Sequence, residues 1–183
     1  MTAMNNAGAL YIESTDNHLV AAELTAYLLG SGFVPTEHAS AEISGRIMIA
    51  EKRRRHFFIV PSQQSWVTIW EDPRYFADRE LARALAQSLA TRAVWIEVSG
   101  NGVGWARGVY QGEQTLEEHY EATETMFYGE YGTIHFAYDV ERTPDDLIAE
   151  LDLPYDELHY EAVLAGELPA EAGEPMYCVF ARP

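Results

Sequence analysis

The sequence predicts an α+β fold: tandem strand–helix–strand–strand units forming a largely antiparallel sheet with helices on one face, joined to an acidic, mainly helical C-terminal part. Three observations carry this expectation. Short runs rich in β-branched and aromatic residues alternate with two segments of helical apolar spacing. The order of these elements repeats within residues 1–110. Asn101-Gly102 marks a tight hairpin, because both residues accept positive φ, and hairpins make antiparallel neighbours.

The first unit opens with a short apolar strand, Leu10 to Glu13. Thr15 or Asp16 then caps a helix to about Leu29, with Leu19, Val20, Leu24, Tyr27 and Leu28 as its apolar face. Gly30 and Gly32 end it, since glycine tolerates the left-handed conformation that follows a helix. Phe33 to His38, Gly45 to Glu51 and His56 to Val60 read as strands, the last stopping at Pro61. The second unit begins with the strand Trp66-Val67-Thr68-Ile69-Trp70. Asp72-Pro73 turns the chain into a helix from about Ala77 to Ala90, spaced by Leu81, Leu85 and Leu89. Ala93 to Ser99 and Val103 to Tyr110 are the paired strands. This element order resembles the effector-binding domains of the gyrase-inhibitor type, and also ferredoxin-like plaits. The resemblance is one of topology over residues 1–110 and implies a fold, not a function.

After residue 110 the pattern changes. Thr115-Leu116-Glu117-Glu118 spells a capping box, predicting a helix to about Thr123. Thr133 to Asp139 reads as a strand. Thr143-Pro144-Asp145-Asp146 starts a helix: a cap, proline at the first helical position, then acids on the positive helix end. Leu147, Ile148 and Leu151 are its apolar side and Pro154 breaks it. Tyr155 to Leu164 predicts a further helix, and Met176 to Ala181 a closing strand that returns to the main sheet.

The 183 residues suit one domain, a duplicated core (1–110) with an acidic subregion (111–183). Of the net charge of −17, residues 1–107 carry −1, from 11 acids and 10 bases. Residues 108–183 carry −16, with 18 acids against Arg142 and Arg182. Non-specific nucleic-acid or anionic-membrane binding is therefore disfavoured, since both need surplus positive charge. No apolar run is long enough to span a membrane. The single cysteine, Cys178, and the lack of a basic-apolar leader fit a cytoplasmic location.

The acidic segment has two readings, a solvated face and a docking surface for a basic protein. In the second, Asp145, Asp146, Glu150, Asp152 and Glu157 are the candidate contacts. Trp66, Trp70, Trp95 and Trp105 fill a sheet core or, alternatively, line a ligand cleft. The basic turn with Arg53, Arg54 and Arg55 reads as a solvated hairpin tip, or as a contact for an anion or for the chain's own acidic half, within the molecule or in a neighbour. Around His119-Tyr120-Glu121 and His159-Tyr160-Glu161, Glu117 with Glu121 and Asp156 with His159 have same-face helical spacing, but no His-x-x-x-His or Glu-x-x-His occurs, so no metal is expected. Cys178 sits among apolar neighbours as an inert thiol. Gly100-Asn101-Gly102 fails the dinucleotide fingerprint, and neither a P-loop nor a serine-hydrolase elbow occurs, so no cofactor or catalytic residue is assigned. The leading expectation is a non-enzymatic interaction module docking a basic partner, with an inhibitor or immunity-type protein as one case. A small-molecule-binding module with a tryptophan-lined cleft is the alternative, and an enzyme of unknown class the third.

Overall fold

The computed structural model describes residues 7–36, 54–62, 64–71, 78–98, 105–120, 127–128, 134–135, 144–154, 166–168 and 172–183. In chain order the elements are β1 (Ala7–Glu13), α1 (Asn17–Gly30), β2 (Val34–Pro35), β3 (Arg54–Pro61), β4 (Trp66–Glu71), α2 (Arg79–Leu89) and β5 (Arg92–Val98). There follow β6 (Trp105–Gln111), β7 (Gln114–Tyr120), β8 (Phe127–Tyr128), β9 (Ile134–His135), α3 (Pro144–Leu151) and β10 (Met176–Ala181). Eight strands form one sheet in the order β2-β10-β3-β4-β1-β5-β6-β7, antiparallel throughout. Strands β8 and β9 pair separately.

At the centre, β1 and β4 lie side by side, with β3 flanking β4 and β5 flanking β1. The path β1-α1-β3 thus steps over β4, and β4-α2-β5 steps over β1. This interlocked double unit is the split βαβ connectivity of a ferredoxin-like plait. It accounts for the repeated element order in the sequence. The closing strand does return to the sheet, inserted between β2 and β3.

The central strands are apolar on both sides because both faces are covered. Period-two alternation sends Leu10, Ile12, Phe57, Ile59, Val67, Ile69 and Trp95 to one face. Ala9, Tyr11, Phe58, Val60, Trp66, Trp70, Val94 and Ile96 go to the other. Helices α1 and α2 cover the first face through Val20, Leu24, Leu28, Leu81 and Leu85. Helix α3 covers the second through Leu147, with Leu153 beside it. The helices therefore occupy both faces, not one.

Local signals place the helix ends. Asp16 caps α1, its side chain accepting from His18 and Leu19 N–H groups, both at 3.0 Å. Gly32 supplies the left-handed residue after α1, at φ +80°, and Phe33 N–H reaches back to Leu28 O at 2.9 Å. Leu19, expected on the apolar contact face, is exposed.

The capping box at Thr115 starts no helix. Residues 114–120 form β7, paired with β6 across a two-residue turn in which Gly112 takes φ +55°. A cap contributes about 1 kcal/mol. Pairing with β6 satisfies most of the segment's backbone groups on one edge and seats Glu118 against Arg83, so tertiary pairing outweighs the local signal. Of the mainly helical C-terminal part, α3 is the only helix among the described residues. The expected strand Gly45–Glu51, the Asp72-Pro73 and Asn101-Gly102 turns, and the helix Tyr155–Leu164 lie outside them.

Candidate functional site

Helix α3 is an acidic cover on the sheet. Leu147 is fully buried and anchors it, with Ile148 and Leu151 packed against the same cluster. Asp146, Glu150 and Asp152 are exposed on its outer side. This is what the spacing in Pro144–Leu151 dictates: apolar residues three and four apart leave the acids pointing away from the sheet. Asp152 closes the helix in the left-handed region at φ +51°, and Leu153 N–H bonds to Ile148 O at 3.0 Å. Of the other acidic candidates, the Asp145 side chain and Glu157 lie outside the described residues.

The rest of the acidic segment is partly neutralised by arginines of the near-neutral half. On the α1/α2 face, Arg83 of α2 contacts Glu118 of β7 at 2.6 Å. The Tyr110 hydroxyl donates to the same Glu118 Oε1 at 2.8 Å, and the Arg83 guanidinium lies 5.4 Å from the Tyr110 ring centroid. On the opposite face, buried Arg107 of β6 pairs with Glu117. The outward acids of α3 are thus a different set from the inward acids of β7. An open groove of about 830 Å³ runs beside this cluster, lined by Tyr27, Glu80, Arg83, Gln87, Tyr110 and Glu113 among others.

Arg55 corrects an expectation. It is not at a solvated tip but in β3, only 6% exposed. Its Nε and Nη2 donate to Glu71 Oε1 and Oε2 at 2.6 and 2.7 Å, a bidentate fork. Its Nη2 also lies 3.0 Å from Asp78 Oδ2, while Asp78 Oδ1 caps α2 by accepting from Leu81 N–H at 3.1 Å. One carboxylate therefore both caps α2 and ties it to the sheet. The guanidinium lies over the Phe57 and Phe33 rings, 5.0 and 5.8 Å from their centroids. Burial alone would lower the Arg55 pKa, but hydrogen bonding and charge from Glu71 hold it above its ordinary value. Arg54 is exposed at the start of β3, and Arg53 lies outside the described residues.

The tryptophans are not gathered into one cleft. Trp66 and Trp70 share a face, as their spacing requires, and are buried under the α3 side. Trp95 is buried on the α1/α2 side. The sheet itself separates them, because Trp95 stands opposite Leu10 while Trp66 and Trp70 follow the parity of Tyr11. The Trp105 side chain lies outside the described residues.

Remaining titratable groups have local explanations. Glu117 and His119 lie on β7, not on the helix expected there, and Glu121 lies outside the described residues. His56 Nδ1 and the Tyr177 hydroxyl are hydrogen-bonded at 2.6 Å on the α3 side. Cys178 is half-buried, packed against the α1/α2-side core, and burial pushes its thiol up, away from thiolate reactivity. Burial also raises the Glu97 carboxyl to about 7. The Arg83–Tyr110–Glu118 cluster was missed in the sequence. Its one signal is Gly108, two residues before Tyr110: a Cβ there would run into the Tyr110 hydroxyl and ring, so the tyrosine packs over a glycine.

No protein-family model matches the chain, and no curated protein or solved structure matches it either.

Proposed function

We propose that this protein is a non-enzymatic interaction module that docks a basic protein through the outer surface of α3. The observation that carries the reading is the anchored helix: Leu147 fixes it on a two-layer core while Asp146, Glu150 and Asp152 are exposed. Carboxylates on a rigid support make a directional negative field, which steers a cationic partner at little ordering cost. The charge division supports the same side, since residues 108–183 carry −16. An inhibitor or immunity-type protein, covering the basic cleft of its target, is the case that suits such a surface. The tryptophan-cleft reading has less support, since three of the four rings are core residues on two different faces.

The test compares two variants of equal charge in stopped-flow association with lysozyme as the basic probe. Asp146→Asn/Glu150→Gln/Asp152→Asn should slow association about tenfold at low salt. Glu13→Gln/Glu80→Gln/Glu113→Gln removes the same charge elsewhere and should leave most of the rate intact. Equal loss in both variants would reduce the effect to net charge and end the docking-face reading.

A further inference from the structure

We infer that the outer face of α1 seats a second copy of this chain, helix against helix, antiparallel about a two-fold axis. Helix α1 is apolar over much of its surface: Leu19, Val20, Ala21, Ala22, Leu24, Ala26, Tyr27, Leu28 and Leu29 leave Asn17, His18, Glu23 and Thr25 as its polar residues, with Glu23 its only acid. Val20, Ala21, Leu24 and Leu28 are buried on the sheet. On the other side Leu19 and Leu29 are 47% and 50% exposed, and Ala22 and Ala26 between them are exposed as well. An apolar helix face is ordinarily covered.

The spacing identifies the occupant. Leu19, Ala22, Ala26 and Leu29 follow a three-four-three interval that reads identically from either end, centred on Leu24. A two-fold axis at that point sets Leu19 against the partner's Leu29, and Ala22 against the partner's Ala26. Such self-complementarity is what an isologous interface requires. The alanines allow the helix axes to approach to about 8 Å, the short end of the normal range.

Charge at the two ends agrees with the same register. Asp16 caps the N-terminus of α1 and is exposed. Arg182 sits at the opposite end, its Nη2 donating to Ser31 O at 3.3 Å. In the antiparallel pair each Asp16 comes level with the partner's Gly32, beside the partner's Arg182, so two opposite-charge contacts form. Glu23 flanks the stripe next to the axis and meets its own counterpart, which weakens the pair. Helix α1 also belongs to the half of net charge −1, so association does not force the acidic parts together.

Fourteen residues make a helix about 21 Å long, which buries well under the roughly 1,600 Å² of a standard interface. The dimer is accordingly weak, with a Kd on the order of tens of micromolar. Sedimentation equilibrium of the full chain from about 5 to about 500 μM brackets that value. It should show a monomer–dimer equilibrium. Leu29→Glu should weaken it at least about tenfold, by placing a desolvated charge at the contact. Glu23→Gln should strengthen it about threefold by removing the like-charge pair, a gain that misfolding cannot imitate. A monomer throughout that range, or a dimer unchanged by both substitutions, overturns the inference.

Discussion

Replacing Glu71 with glutamine leaves Arg55 buried with half of its anionic support. In the native chain, Arg55 and Glu71 are 6% and 8% exposed and joined by two contacts of 2.6 and 2.7 Å. Removing one partner of a buried pair typically costs about 3–5 kcal/mol, because the remaining charge is stranded away from water. Asp78, 3.0 Å from Nη2, keeps part of the compensation, so about 3 kcal/mol is expected. For a chain of this length, that corresponds to a drop in Tm of about 6–12 °C. Urea unfolding followed by tryptophan fluorescence measures it directly, since Trp66, Trp70 and Trp95 are all core residues. The double variant Arg55→Met/Glu71→Leu removes both charges and should recover to within about 2 kcal/mol of the native chain, the residue being the lost contact to Asp78. Its failure to recover, or a Glu71→Gln loss below about 1 kcal/mol, would refute the stranded-charge argument.

Ala90 ends α2 at φ +50°, where Thr91 N–H bonds to Ala86 O, so Ala90→Gly should stabilise by about 0.5–1 kcal/mol in the same denaturation assay. Gly108→Ala should destabilise by about 1–3 kcal/mol, because the new Cβ meets the Tyr110 hydroxyl and displaces it from Glu118; Tyr110→Phe in the same background should recover part of the loss. Glu97, raised to about 7 by burial, binds its proton more tightly folded than unfolded, so stability should fall as pH rises from about 4.5 to about 7. Glu97→Gln should flatten that slope, by about 1 kcal/mol after allowing for partial exposure, as read from urea midpoints at both ends of the window.

The largely antiparallel α+β sheet was legible because strand and helix periodicity alternate in a repeated order over residues 1–110. The strand Trp66–Trp70 and the helix spaced by Leu81 and Leu85 needed no tertiary information. What failed was reading a local signal without its partner strand. Thr115 to Glu118 is a sound capping box, but β6 lies two turn residues upstream and offers a ladder plus a half-buried seat for Glu118. Sheet faces failed for a similar reason. The alternation within Trp66–Trp70 is visible in the sequence, yet its relation to Trp95 depends on β1 lying between β4 and β5. That order comes from the split connectivity, which sequence separation does not state.

Charge counting erred in a more instructive way. Dividing the chain at residue 107 separates its net charges, but among the described residues Arg83–Glu118 and Arg107–Glu117 cross that line. Arg83 and Arg107 belong to the near-neutral half and hold Glu118 and Glu117 of the acidic half. The same folding removes Arg55 from the basic turn, since Glu71 and Asp78 enclose it. Opposite charges within reach of a forming sheet are spent on internal order first. Asp146, Glu150 and Asp152 on α3 are among the acids that the fold leaves exposed. Net charge per segment is therefore an upper bound on docking charge, and the orientation of each acid against the core decides how much of it remains.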